Sequence, residues 1–177
     1  MPATSARMFF ALAMDRALDG VLDAHAAELV AVTAGRAVPA ANRHATLAFI
    51  GTVPRADIER LAALGAGMSR AAFDLELDTV GTFKGARVAW VGPSRAPGEL
   101  VTLHGGLAAS LVEARFPIDE RPYHVHVTLV RHCRRTIAQR HVPPLAWPVR
   151  EVVLYESITT PQGPRYEPRA RWPLAAR

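Results

Sequence analysis

Two stretches carry one pattern: residues 44–51, HATLAFIG, and residues 126–131, HVTLVR. Each opens His-x-Thr-Leu and runs on through apolar residues, the composition of a β-strand. In a strand, residues i and i+2 share a face. His44 and Thr46 therefore point one way, while Ala45, Leu47 and Phe49 point into a core. His126 and Thr128 likewise share a face, backed by Val125, Val127 and Leu129. The copies lie 82 residues apart (126 − 44), one in each half of the chain. Each half thus offers an imidazole beside a hydroxyl on a rigid element.

Outward from these motifs the pattern predicts alternating short elements. Met8–Met14 is an apolar run of strand length bounded by charge. Asp15 can cap a helix with apolar positions Leu18, Val21, Leu22, Leu29 and Val30, ended by Gly35 and Pro39. The first motif strand spans Arg43–Ile50 and closes at Gly51. Pro54 opens a helix carrying Ile58, Leu61 and Leu64. Phe73–Val80 alternates apolar and acidic residues, a half-exposed strand; Gly81–Gly85 reads as a turn and Arg87–Val91 as a strand. Pro97–Arg115 reads as a helix with Leu100, Leu103, Leu107 and Leu111 inward, although Gly105 and Gly106 weaken it. Tyr123–Arg131 is the second motif strand. Strands at about Val149–Ile158 and Tyr166–Leu174 flank the turn 161–164. This interrupted order argues against a doubly wound parallel sheet and for an α+β fold with antiparallel sheets.

A chain of 177 residues, half of them hydrophobic and 21% charged, can bury a real core, so disorder is unexpected. No apolar run reaches the ~18 residues that cross a bilayer. Arg7 with the run 8–14 faintly resembles a secretion signal, but Asp15 and Arg16 interrupt it at once, and a buried first strand is the better reading. The single cysteine, Cys133, excludes an intramolecular disulfide framework and points to a cytoplasmic protein. The net charge of +5 suggests an anionic partner, nucleic acid first. Of the 21 basic residues only Lys84 is lysine, a skew that suits bidentate phosphate recognition or a GC-rich genome equally.

Two imidazoles on a shared cleft suit a reaction that needs one proton removed and one supplied. With an ordinary pKa of ~6.5, one ring can be neutral and the other charged near neutral pH. Hydrolysis of a phosphodiester has this demand, a base for water and an acid for the leaving alkoxide. Thr46, Thr128 and Arg131 could bind the non-bridging oxygens as charge builds there. No metal or cofactor is required.

These residues resemble the two-histidine phosphoesterases, and within them the bacterial and archaeal RNA 2′,3′-cyclic phosphodiesterases, historically called 2′-5′ RNA ligases. The resemblance spans nearly the whole chain. It rests on both motifs, on Asn42 before the first, and on Phe83, Arg87, Val88 and Trp90. It also takes in Arg121-Pro122-Tyr123 and the tail Leu154-Tyr155-x-Ser157, Gly163, Tyr166 and Trp172-Pro173-Leu174. It implies a single two-lobed domain over 1–177: two lobes related by an approximate twofold, antiparallel sheets forming a central cleft, and helices outside. It further implies that His44 is the general acid on the departing 3′ oxygen and His126 the general base on water, giving a 2′-phosphate. Thr46, Thr128 and Arg131 would hold the phosphate of an RNA or nucleotide 2′,3′-cyclic end, with no membrane and no obligate protein partner. The chain departs from the family at Val125, where proline often precedes the second histidine, and at Lys84-Gly85-Ala86, which lack the usual proline.

Other readings compete. Ligation of 2′-5′ linkages, hydrolysis of another cyclic or 2′-5′-linked nucleotide, and an RNA-binding module without turnover are the alternatives; the intact motifs speak against the last. His124, His126 and His132 invite a metal site but have no acidic or cysteine partner beside them. Cys133 lacks an oxyanion-hole motif. Phe83 and Tyr123 could stack on a nucleobase, whereas Trp90 reads as core. An odd offset from His126 turns Arg131 away from the cleft unless the strand twists or bulges after Thr128.

Overall fold

In the computed structural model, which describes residues 4–175, the chain runs β1 (Ser5–Ala13), α1 (Asp19–Thr33), β2 (Arg36–Ala37), β3 (His44–Pro54) and α2 (Ile58–Ala66). It continues β4 (Phe73–Phe83), β5 (Val88–Gly92), α3 (Gly98–Glu113), β6 (Val127–Arg131), β7 (Arg140–Val149), β8 (Glu151–Thr160) and β9 (Gly163–Pro173). The strands pair antiparallel in the order β7-β4-β5-β6-β3-β1-β8-β9, with β2 on β6. This is the expected α+β, antiparallel arrangement. The sheet has a seam: β3 and β6 meet through one register pair, Ala45 with Val127. Either side of it stand four strands, β3-β1-β8-β9 and β6-β5-β4-β7, each half presenting its motif strand at the join. These are the two lobes.

Apolar residues of all three helices and of both motif strands close one core. Leu22 and Leu29 of α1, Leu61 of α2, and Leu100, Leu103, Leu107 and Leu111 of α3 are buried with Ala45, Leu47, Val127 and Leu129. Helix α1 lies against β6 and α3 against β3, so each motif strand is backed by a helix from the other half of the chain. Val21, expected inward, is 45% exposed; Ala26 and Thr33 take the inner stripe with Leu22 and Leu29. Asp15 caps a short 3-10 turn ahead of α1, accepting from the Ala17 N–H.

Three local expectations change, and one strand has no counterpart in the sequence reading. The first motif strand passes through Gly51 (φ 83°), a conformation that suits glycine, and ends at Pro54. Residues 81–83 belong to β4 and not to a turn; glycine is needed at 81 because a Cβ there would lie 2.8 Å from the Trp90 ring. Regular pairing of the second motif strand begins at Val127, so Tyr123–His126 lie outside it. Strand β7, RHVPPLAWPV, shows no alternation and carries three prolines; among the described residues it is an edge strand paired with β4 alone, where missing N–H groups are tolerated.

Candidate active site

The pair Ala45–Val127 sits at the centre of both motifs. In antiparallel pairing, one step either way from it turns His44 toward Thr128 and Thr46 toward His126, all on the face opposite the core. The two histidines are held by the same device. His44 Nδ1 lies 2.9 Å from the carbonyl of Asn42, and His126 Nδ1 lies 2.7 Å from the carbonyl of His124. A carbonyl can only accept, so Nδ1 carries the hydrogen in each ring and Nε2 is the nitrogen free to exchange a proton. Asn42 is itself anchored, its side-chain amide donating to the Pro164 carbonyl at 2.9 Å. His44 Nε2 also meets Thr46 Oγ1 at 3.2 Å.

Each ring stands in aromatic surroundings. Phe9 lies 4.9 Å from His44, centroid to centroid, and Tyr166 meets it edge-on at 5.1 Å. Around His126, Phe83 lies edge-on at 4.9 Å and Trp90 at 6.3 Å. Burial is the main reason that both imidazoles resist protonation. It pushes His44 down to about 4, the Asn42 carbonyl opposing, with Arg131 and His126 adding positive repulsion. His126 is also lowered, by burial first and then by His124 and Arg131.

Arg131 acts on both rings because β6 is bulged. Ala89 pairs with Val130 and Trp90 with Thr128, so Leu129 is an extra residue on β6. Leu129 and Val130 are consequently both buried, and Arg131 emerges exposed with the parity of Thr128. The motif strand β3 repeats this. Phe10 pairs with Ala48 and Ala11 with Thr46, so Leu47 is the extra residue. The bulge falls three residues after each histidine, and the counterpart of Arg131 is Phe49, expected in the core but turned out by the bulge, 42% exposed under the Arg7 guanidinium at 4.7 Å.

The other sequence candidates separate. Thr46 and Thr128 are half-buried at the seam, and Phe83 stacks on Trp90 at 5.2 Å. Trp90 is core, as expected. Tyr123 is spoken for: it stacks flat on His104 at 3.8 Å and donates its hydroxyl to the Thr46 carbonyl at 3.2 Å, tying the lobes together. Cys133 is buried with its thiol 4.0 Å from the Val130 carbonyl. His124 stands 6.0 Å from His126, but among the described residues no three His, Cys, Asp or Glu side chains gather as a metal site. Sequence reasoning gave no site role to the Asn42 and His124 carbonyls, Phe9 and Tyr166. A backbone acceptor leaves no signal in residue type, and the two aromatics come from strands distant in sequence.

Comparison with known proteins gives one consistent likeness. The family model described as the 2′-5′ RNA ligase superfamily matches residues 20–160. The RNA 2′,3′-cyclic phosphodiesterase of Escherichia coli (strain K12) is 33% identical over 145 residues, covering 80% of this chain and 81% of that protein. The enzyme of the same description from Thermus thermophilus is 31% identical over 174 residues, covering 90% and 86%. Among solved structures, E. coli LigT complexed with 3′-AMP superposes with a TM-score of 0.87 at 30% identity, covering 97% of this chain and 99% of that one.

Proposed function

The chain belongs to the 2′-5′ RNA ligase superfamily, and from that membership and the seam geometry we propose that it is a hydrolase, an RNA 2′,3′-cyclic phosphodiesterase that opens cyclic ends to 2′-phosphates. The observation that carries the reading is the pairing of two His-x-Thr motifs at Ala45–Val127, with both Nδ1 atoms tied to carbonyls and both Nε2 atoms left to exchange protons. In this reading His126 Nε2 takes a proton from the attacking water as the new P–O bond forms. His44, carrying a proton on Nε2, gives it to the 3′ oxygen as the P–O3′ bond breaks. The phosphodiester anion beside His44 offsets the burial that otherwise keeps the ring neutral. Thr46 and Thr128 donate to the non-bridging oxygens, and Arg131 neutralises charge that builds on them. Phe83 borders the position of the terminal nucleoside. Neither proton transfer calls on a metal or cofactor. The whole chain, 1–177, works as one two-lobed unit, and a cytoplasmic place accords with an RNA substrate and a single cysteine.

The test is incubation with a nucleoside 2′,3′-cyclic phosphate and chromatographic separation of the products. The expected outcome is 2′-phosphate accumulating alone. A 3′-phosphate product exchanges the leaving oxygen and overturns the assignment, and absence of turnover overturns the hydrolase.

A further inference from the structure

Two groups of basic residues differ in their partners. On the first-lobe side, Arg55 and Arg169 converge on Glu156, Arg165 and Arg169 pair with Glu167, and Arg171 pairs with Glu151. These arginines are neutralised. On the second-lobe side, Arg36, Lys84, Arg87, Arg134 and Arg135 form no ion pair among the described residues, and all five are exposed.

These five line two cavities, of about 300 Å³ and about 420 Å³, which share Arg87 and Arg134 and so form one groove. Neither cavity has an acidic residue in its wall. The groove runs into the seam at two points. Phe83, in its wall, is the residue edge-on to His126, and Arg36 is the register partner of Arg131. Its cations are set on fixed backbone. Arg87 and His132 hold left-handed conformations (φ 54° and 56°). The Cys133 N–H donates to the Arg87 carbonyl at 2.9 Å, and the Arg134 and Arg135 N–H groups donate to the Thr33 carbonyl at 2.9 and 3.0 Å. Non-glycine residues at positive φ are strained and persist where the surroundings enforce them. Like charges gathered without counter-ions repel, so such a groove is favourable when an anion fills it.

A 2′,3′-cyclic phosphate terminates its strand, and every further nucleotide lies on the 5′ side. We infer that this groove carries the RNA strand immediately 5′ of the cyclic end, its cations meeting internucleotide phosphates, so that the enzyme is built for polynucleotide ends and not for free nucleotides. The inference rests on the proposed activity for the placement of the terminal nucleotide.

The experiment compares wild type with a variant carrying Arg36→Gln, Lys84→Gln, Arg134→Gln and Arg135→Gln, all exposed positions outside the catalytic residues. Expected are a kcat/KM on a cyclic mononucleotide within about twofold of wild type and a loss of at least about tenfold on a ten-nucleotide RNA with a 2′,3′-cyclic end. The slope of log kcat/KM for the RNA against log salt should fall by up to about three, since each single-strand phosphate contact contributes roughly 0.7 and four cations are removed. Equal losses on both substrates, or none on the RNA, overturn the groove. Fluorescence anisotropy with a ten-nucleotide RNA ending in 2′-phosphate reads binding without turnover, and affinity unchanged in the variant overturns it too. If wild type opens neither substrate, the hydrolase reading falls, while the anisotropy comparison still decides the groove. Displacement of the RNA by polyglutamate of equal charge as readily as by unlabelled RNA would assign the groove to acidic proteins instead.

Discussion

The Nδ1–H of His44 is committed to the Asn42 carbonyl and that of His126 to the His124 carbonyl, so the proton that moves in each ring is the one on Nε2. Alanine at either position should lower kcat by roughly 10²–10⁴-fold, the range for a positioned acid or base. The doubly substituted enzyme should lose far less than the product of the two, because the pair acts as a unit. Steady-state kinetics on a cyclic nucleotide check both statements, and near-wild-type turnover in a single variant would remove that residue from the mechanism. At Arg131 the expected outcome of replacement by lysine is a higher KM together with a lower kcat, since an ammonium lacks the planar fork of the guanidinium. Unchanged kinetics would leave the phosphate to Thr46, Thr128 and backbone groups. The histidines and threonines were legible as residue types at matched spacing; the carbonyls that orient them were not, because every residue has one.

At the scale of elements, the paired bulges at Leu47 and Leu129 shift strand parity three residues past each histidine. A period-2 reading sends Arg131 away from the seam, and the bulge brings it back. Strand β4 supports the same region through Gly81, where a Cβ would press on the Trp90 ring at 2.8 Å. Gly81→Ala should cost about 1–3 kcal/mol in urea unfolding, the usual penalty for overpacking, and displace Phe83 against His126. The β8–β9 ribbon is fastened by Glu156, buried and bound by Arg55 at 2.7 Å and Arg169 Nε at 2.7 Å. Burial alone would raise its carboxyl, but the hydrogen bonds from Arg55 and Arg169 outweigh that and hold it low. Its contribution is present above the ordinary carboxylate pKa near 4.5 and fades as pH falls through the depressed value. Glu156→Gln should therefore lower Tm at pH 7 and narrow its gap to wild type in acid, as thermal melts across pH will show.

For the molecule as a whole, two half-buried imidazoles make pH the natural probe. Since kcat/KM reports the free enzyme, its bell should be centred below 6.5: the rising limb follows deprotonation of lowered His126, and His44, pushed down to about 4, must still be protonated. Above both values kcat/KM should drop about tenfold per pH unit; a plateau extending to pH 8 would contradict this. Stability moves with the same group. Between about 6.5 and about 4 the unfolded chain binds a proton at His44 that the fold refuses, so Tm should fall as pH drops across that window, and His44→Ala should flatten the fall. The sequence by itself determined the α+β class with antiparallel pairing and the paired His-x-Thr motifs, because hydrophobic periodicity and residue type are local properties. The tertiary structure decided what locality cannot hold. It registered Ala45 on Val127, placed Phe9 and Tyr166 against His44, turned Arg131 with a bulge, and hid an edge strand behind prolines. Each of these depends on which distant strand lies alongside, and that is settled by packing of the whole sheet against its helices.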